Sequence, residues 1–319
     1  MTGGTPVPPC ALCTKIAQVA LTAMGLILVG LYNESRCRID VIYPAAEPLH
    51  LQLEGPMKTA SSFVLFMLLA AFFSTVFTAS TSAQTRTPTV SSLTDSLAKK
   101  ATSLNPKYLV FAPSKKTDAK LPLVIYLHGA GGVGDNIQKI KGQSGQLIQG
   151  IAKFEKGPCI IVAPQCLKRA REKGGWIPAH LNILLAHLKA TLNVDEKRIY
   201  LTGNSMGGFG SWIWGGNNPE HFAAIAPISG GIGSGGPKDV TKQIDKWVAN
   251  LVKVPVYAFA GEKDRVVPAE RSKRMIELIQ KAGGKHAKLK IYPDEGHNAR
   301  RLVFTNAEYY NWMFSKKRE

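Results

Sequence analysis

The chain has 319 residues, 45% hydrophobic and 19% charged, which supplies one good core and at most two domains. Its formal charge of +18 arises entirely after residue 83, since residues 1–83 carry four basic and four acidic groups while the rest carries 36 and 18. Lys and Arg are scattered in pairs with no RNA- or DNA-binding module among them, so the basic surface reads as solvated and a nucleic-acid partner is excluded.

Two apolar runs, residues 16–32 and 62–78, fall slightly short of the roughly 20 residues of a membrane-spanning helix. The second follows Met57 and Lys58 and ends at Thr81, Ser82 and Ala83, the order of charged start, apolar centre and small-residue cleavage site of a secretory signal. The sequence therefore predicts a signal peptide over 57–83, cleaved after Ala83, and a secreted or periplasmic protein. Residues 1–56 then read as an extension from an upstream start assigned in error. The rival reading keeps them as a first transmembrane helix, with any membrane association resting on the N-terminal apolar segments alone. Cys10 and Cys13 form a lone C-x-x-C without a second pair or a histidine pair, so no metal site is expected.

Residues 84–106 are rich in Ser and Thr and read as a mobile leader with at most one short helix. From 107 to 319 the pattern is that of one catalytic domain. Residues 108–112 and 123–127 are strands separated by a lysine-rich loop; 140–154 has helical spacing; 159–163 is a buried strand; Leu181, Leu184, Leu185, Leu188 and Leu192 form the stripe of a second helix. Strands follow at 198–202, 223–228, 254–260 and 287–292, with helices near 240–252 and 270–282 and one closing helix over 302–314. This alternation is the signature of a mostly parallel, twisted sheet with helices on both faces. Cys159 and Cys166 lie too far apart along an extended segment to pair, and read as separate thiols.

The strand at 198–202 breaks at Gly203-Asn204-Ser205-Met206-Gly207, a G-x-S-x-G turn. Such a turn reverses so sharply into a helix that Cβ atoms two positions either side of the serine have no room, and it lifts the serine hydroxyl above the sheet. Ser205 is thereby the candidate nucleophile and the Met206 N–H an oxyanion donor. The second donor is placed at the Ala130 N–H, in the glycine cluster His128-Gly-Ala-Gly-Gly-Val-Gly-Asp135; that cluster lacks the spacing of a phosphate-binding loop. His128 itself reads as structural.

A serine needs a base, and the base needs a group that fixes its tautomer. His297, after the strand at 287–292, and Asp264, after the strand at 254–260, supply them in the order Ser, Asp, His that α/β-hydrolases show. Asp294 and Glu295 compete for the acid but are expected to shape the histidine loop, while His221 and His286 read as a helix-end and a surface residue. Trp176 is a candidate substrate-binding wall; Trp212 and Trp214 are weaker candidates.

The runs Leu-His-Gly-Ala-Gly-Gly (127–132), Arg-Ile-Tyr-Leu-Thr-Gly-Asn-Ser-Met-Gly-Gly (198–208), Gly-Glu-Lys-Asp (261–264) and Glu-Gly-His-Asn (295–298) resemble the secreted bacterial phospholipase/carboxylesterase group. That group is related to dienelactone hydrolases and polyhydroxybutyrate-depolymerase-like esterases, and some members are labelled predicted peptidases. The resemblance implies an α/β-hydrolase fold and ester or thioester cleavage through an acyl-serine, with Ser205, Asp264 and His297 as triad and without metal or organic cofactor. Only residues 229–253 separate the strand after the serine from the strand before the acid, so no large cap is expected, and the substrate is expected to be a small ester or a polymer end. Prolyl-oligopeptidase-like peptidase chemistry, and a catalytically silent binding protein on the same fold, remain as alternatives.

Overall fold

The computed structural model describes residues 88–113, 117–154, 157–168, 175–233 and 239–319, together with the backbone of four strands between residues 15 and 54. The chain divides into two units, residues 1–81 and 82–319.

In the first unit, β1 (Lys15–Leu21), β2 (Leu26–Asn33), β3 (Arg36–Ile42) and β4 (Leu49–Glu54) pair in sequence order as an antiparallel sheet. The apolar run at 16–32 is therefore divided between two strands, which corrects the transmembrane-helix alternative. Its β-branched residues, Ile16, Val19, Ile27 and Val29, favour the extended chain. No helix among the described residues is long and apolar enough to cross a membrane. The expected signal segment 57–83 and the pair Cys10 and Cys13 lie outside the described residues.

The second unit is built on an eight-stranded sheet. Its strands are β5 (Thr89–Ser92), β6 (Lys107–Phe111), β7 (Leu121–Leu127), β8 (Ile160–Ala163), β9 (Val194–Asn204), β10 (Ala224–Ile228), β11 (Val256–Gly261) and β12 (Ala287–Tyr292), in the spatial order β12-β11-β10-β9-β7-β8-β6-β5. From β12 to β8 every pairing is parallel, and β6 and β5 close one edge antiparallel. The helices are α1 (Asp95–Lys100), α2 (Gln138–Phe154), α3 (Pro178–Thr191), α4 (Met206–Asn217), α5 (Ile244–Leu251), α6 (Glu270–Lys281), α7 (Arg300–Phe304) and α8 (Ala307–Phe314). This is the mostly parallel sheet that the strand and helix alternation predicts, in the α/β-hydrolase arrangement that the resemblance implies.

Each face of the sheet carries its own core. Along β7, Leu121, Leu123, Ile125 and Leu127 face one cluster with Leu181, Leu184, Leu188, Trp212 and Met275, while Val124 and Tyr126 face the other with Ile140, Leu147, Phe304 and Tyr309. Burial on both sides explains the uninterrupted apolar run of this strand. The chain leaves β7 toward β8 on one side and β9 on the other, so the crevice beyond the carboxyl ends of β7 and β9 is the switch point where open α/β sheets place ligands.

Two elements differ from the sequence reading. Residues 88–106 are not a mobile leader: β5 pairs with β6, and Leu93, Ala101 and Leu104 are buried in the core. A four-residue strand of Thr, Val and two Ser residues carries too little apolar signal to be read in isolation. The closing helix is two helices, α7 and α8. Between them Asn306 caps α8 by accepting the Glu308 N–H at 2.9 Å, the local side-chain bond by which Asn ends one helix and starts the next.

Candidate active site

Ser205 stands at the bend between β9 and α4 with φ 56° and ψ −117°, a left-handed conformation that an L-residue adopts only under constraint. The constraint is the packing of the turn. A Cβ on Gly207 would lie 1.8 Å from the Leu127 carbonyl oxygen, and one on Gly203 would lie 2.4 Å from the Gly207 carbonyl oxygen. Only glycine lets the amino end of α4 sit directly on the end of β7. The Ser205 N–H is tied to the Ile228 carbonyl at 2.9 Å, which fixes the bend to the neighbouring strand.

The Ser205 hydroxyl meets His297 Nε2 at 2.8 Å, and His297 Nδ1 meets Asp264 Oδ2 at 2.8 Å. Asp264 accepts the backbone N–H groups of Val266 and Val267 on its other oxygen, at 2.8 and 2.9 Å, and its side chain is fully buried. Burial alone would raise this carboxyl, but the hydrogen bonds from His297 and from the Val267 and Val266 amides outweigh it and hold Asp264 below the ordinary carboxylate value. An ionised acid on Nδ1 keeps that nitrogen protonated and leaves Nε2 free to accept the serine proton. The acid and histidine loops touch backbone to backbone, since a Cβ on Gly261 would lie 2.3 Å from the carbonyl oxygens of Glu295 and Gly296. Of the competing acids, Asp294 is exposed and pairs with Lys263 at 2.8 Å, and Glu295 pairs with Arg301, whereas the carboxylate on His297 Nδ1 is that of Asp264.

The glycine cluster lies beside the serine: a Cβ on Gly129 would lie 3.3 Å from the Asn204 carbonyl oxygen and 3.7 Å from Ser205 Cβ. Ala130 opens a short 3-10 turn (Ala130–Gly132) and Met206 opens α4. Both N–H groups thus stand at first-turn positions, which have no acceptor inside their own turn.

Side chains that the sequence gives no reason to single out hold this loop. Gln143 on α2 accepts the Gly129 N–H at 2.9 Å. Gln165, fully buried, donates through Nε2 to the carbonyls of Gly132 and Asn136 at 2.8 and 2.9 Å and accepts from Asn105 at 2.8 Å. His128 is structural as expected. Its Nδ1–H donates to the Gly129 carbonyl at 2.6 Å, its Nε2 accepts the Cys166 N–H at 3.0 Å, and burial lowers it to about 4, so the ring stays neutral.

Trp176 does not wall the cleft. It is 5% exposed, packs edge-on against His128 with ring centres 4.8 Å apart, and closes on Gly210, where a Cβ would lie 2.6 Å from the indole. Its apolar bulk is drawn into the core between the glycine cluster and α4, which corrects the substrate-binding assignment. Trp212 and Trp214 are fully buried, and Cys159 and Cys166 are both buried thiols. No group of three or more His, Cys, Asp or Glu residues placed to hold a metal occurs among the described residues.

With this geometry in place, residues 108–306 match the dienelactone hydrolase family over more than half the chain. The chain belongs to that family. It is 25% identical over 204 residues to a Salmonella typhimurium protein assigned as a carboxymethylenebutenolidase, covering 59% of this chain and 71% of the relative. It is 31% identical over 121 residues to an Aspergillus niger protein assigned as feruloyl esterase C, covering 37% of this chain and 44% of that one. A thermostable esterase of known structure superposes with a TM-score of 0.56 at 24% identity, over 90% of this chain and 74% of the other, a likeness of fold. The chain is a serine hydrolase of carboxylic esters.

Proposed function

We propose that Ser205, His297 and Asp264 are the catalytic triad of this esterase, and that the backbone N–H groups of Ala130 and Met206 hold the oxyanion. The observation that carries this reading is the unbroken relay from the Ser205 hydroxyl through His297 to Asp264, both contacts at 2.8 Å. His297 Nε2 takes the hydroxyl proton as Ser205 Oγ attacks the ester carbonyl, and the oxygen that gains charge turns toward the two N–H groups. The carbon–oxygen bond to the alcohol then breaks, His297 returns the proton to the leaving oxygen, and the acyl group stays on Ser205. Water, deprotonated by the same imidazole, repeats the attack and frees the acid and the serine.

The substrate we propose is a short-chain or aromatic acyl ester, small or at the end of a polymer. Support comes from the open mouth of the site: the His297 side chain is 29% exposed, and among the described residues the stretch 229–255 holds one helix, α5. A long lipid chain would want a larger helical cover than this stretch supplies among the described residues, so we rank the phospholipase reading behind this one. The aromatic part of the proposal is supported by the relative assigned as feruloyl esterase C. Peptidase activity is the second reading only because the same triad cleaves amides.

A panel of p-nitrophenyl esters and methyl hydroxycinnamates, set beside peptide p-nitroanilides, tests both points. Ester turnover should exceed amide turnover, and Ser205→Ala should lower it on the order of 10⁶-fold and abolish labelling by a fluorophosphonate. Labelling that survives the substitution would place the nucleophile elsewhere. We also propose export through the segment 57–83, supported by its charge and apolar order; N-terminal sequencing of the exported protein should begin at Gln84.

A further inference from the structure

Among the described residues, two that are not glycine adopt a positive φ: Ser205 at 56° and Ser229 at 46°. The first is accounted for by the turn into α4. The second follows β10 directly, and neither the triad nor the oxyanion donors use its side chain. Ser229 is 1% exposed, and its buried hydroxyl makes no hydrogen bond among the described residues. It carries two costs at once, a Cβ in the left-handed region and an unmade hydrogen bond. Glycine would escape both, and glycine occupies the next two positions, Gly230 and Gly231.

The backbone of Ser229 is bound into the bend at Ser205. The carbonyl of Ile228 and the N–H of Ser229 belong to one peptide group; the carbonyl accepts the Ser205 N–H at 2.9 Å, and the N–H donates to the Phe259 carbonyl at 2.8 Å. Ile228 pairs with Asn204 on β9 and with Phe259 on β11, so Ser229 stands level with Ser205, one strand away. Gly230 then packs on the first turn of α4, where a Cβ on Gly208 would lie 2.8 Å from the Gly230 Cα.

Sheet order puts Ser229 under the relay. Ser205 follows β9 and Asp264 follows β11, and β10 lies between those strands. Neighbouring strands are about 4.8 Å apart, so any link from the hydroxyl to the carboxylate crosses the end of β10. The His297 ring makes that crossing, with 2.8 Å to the partner on each side.

We propose that Ser229 is a positioning residue of the relay, whose hydroxyl supports the His297 ring in its protonated form. This rests on the triad reading above and adds a fourth residue to it. Before the attack Nε2 carries no proton, and the Ser229 hydroxyl has nothing to bond. When Nε2 takes the Ser205 proton the ring becomes a cation in a water-poor site, where an oxygen dipole placed in advance lowers its energy. The hydroxyl can turn its oxygen to the ring because no other bond holds it. No bond to Ser229 forms or breaks: the proton passes from Ser205 Oγ to Nε2 and on to the leaving oxygen.

Ser229→Ala and Ser229→Gly, made in the full chain and assayed on p-nitrophenyl acetate beside Ser205→Ala, test the proposal. Both lose the hydroxyl, and glycine is also freed of the left-handed cost. Alanine should unfold at the parent's temperature or above, since it removes a buried group that the fold leaves unpaired. In both variants kcat should fall about fivefold or more, the worth of about one hydrogen bond, with KM within about twofold. The stopped-flow rates of acylation and deacylation should fall together, because each step passes through protonated His297. Unchanged kcat, slowing of one step alone, or a loss in glycine that alanine does not share would overturn the role of the hydroxyl. The two readings fail separately: turnover that survives Ser205→Ala sinks the triad, whereas an inactive Ser205→Ala beside a Ser229→Ala as fast as the parent sinks only this inference.

Discussion

Gln165 reaches from the end of β8 to the Gly132 carbonyl at 2.8 Å, and this one buried amide ties β8 and the loop before β6 to the loop beside Ser205. Replacing it by Leu leaves the Gly132 carbonyl and one Asn105 N–H unpaired in a buried site, at about 1–3 kcal/mol for each, while the Asn136 carbonyl keeps the Lys139 N–H and the Asn105 amide keeps the Asp135 carbonyl. Gln165→Leu should therefore lower the unfolding free energy by about 2–4 kcal/mol in urea titration. It should also reduce kcat at least about tenfold at permissive temperature, because the Ala130 N–H loses its fixed position. Unchanged kcat in a destabilised variant would show that the loop is held without it.

Asp264→Asn is expected to be far more damaging to rate than to fold. The Asn carbonyl can still accept the Val266 and Val267 amides, but its NH₂ then faces His297 Nδ1 and drives the proton to Nε2, the wrong tautomer for a base. A loss in kcat on the order of 10⁴ follows. Asp294→Asn and Glu295→Gln should stay within about threefold, being surface ion pairs. Steady-state assays of the three variants on one p-nitrophenyl ester decide it.

The parts of this site that were legible in the sequence are those where chemistry leaves few residue choices. Gly203 and Gly207 are glycine because α4 rests on Leu127, and Ser205, Asp264 and His297 each follow the carboxyl end of a strand. Gln143 and Gln165 were not legible, since a glutamine that bonds backbone carbonyls or amides from another element has no local pattern. Trp176 misled for a related reason. An indole near a functional loop serves a pocket or a core equally well, and only the closeness of Gly210 decides for the core. The strand β5 was hidden by polar residues at a sheet edge, where one side faces water.

Acid should weaken the fold in two separate windows. His128 is neutral in the folded chain down to about 4, whereas an unfolded histidine takes up a proton near 6.5. Between those values the unfolded state binds more protons, so stability is complete above about 6.5 and falls as pH drops toward 4, by roughly 3 kcal/mol in all. Asp264 acts in the opposite sense of charge and lower on the scale. Its carboxylate is favoured in the fold, so its contribution is present above the unfolded carboxylate value and is lost as pH falls through its depressed one. Urea titrations from pH 8 to 4 should show the first loss, with a shallower slope in His128→Asn. His180 and His221, also held low by burial, account for the slope that remains.

The strain at Ser205 predicts that glycine at this position is more stable than alanine. At φ 56° and ψ −117° a residue with a Cβ is held in a sparsely populated region at about 1–3 kcal/mol, and alanine keeps that cost while losing the hydroxyl contact to His297. Glycine has no Cβ to resist the bend, but loses about 0.5–1 kcal/mol through the greater freedom of its unfolded chain. The difference favours Ser205→Gly over Ser205→Ala by about 1 kcal/mol, although both lack the proposed nucleophile and both should be inactive. Paired urea denaturation of the two inactive variants measures it free of any effect on turnover. If alanine proved the more stable, the bend at the nucleophile would not be strained, and the close contacts of Gly203 and Gly207 would need only a tight turn to explain them.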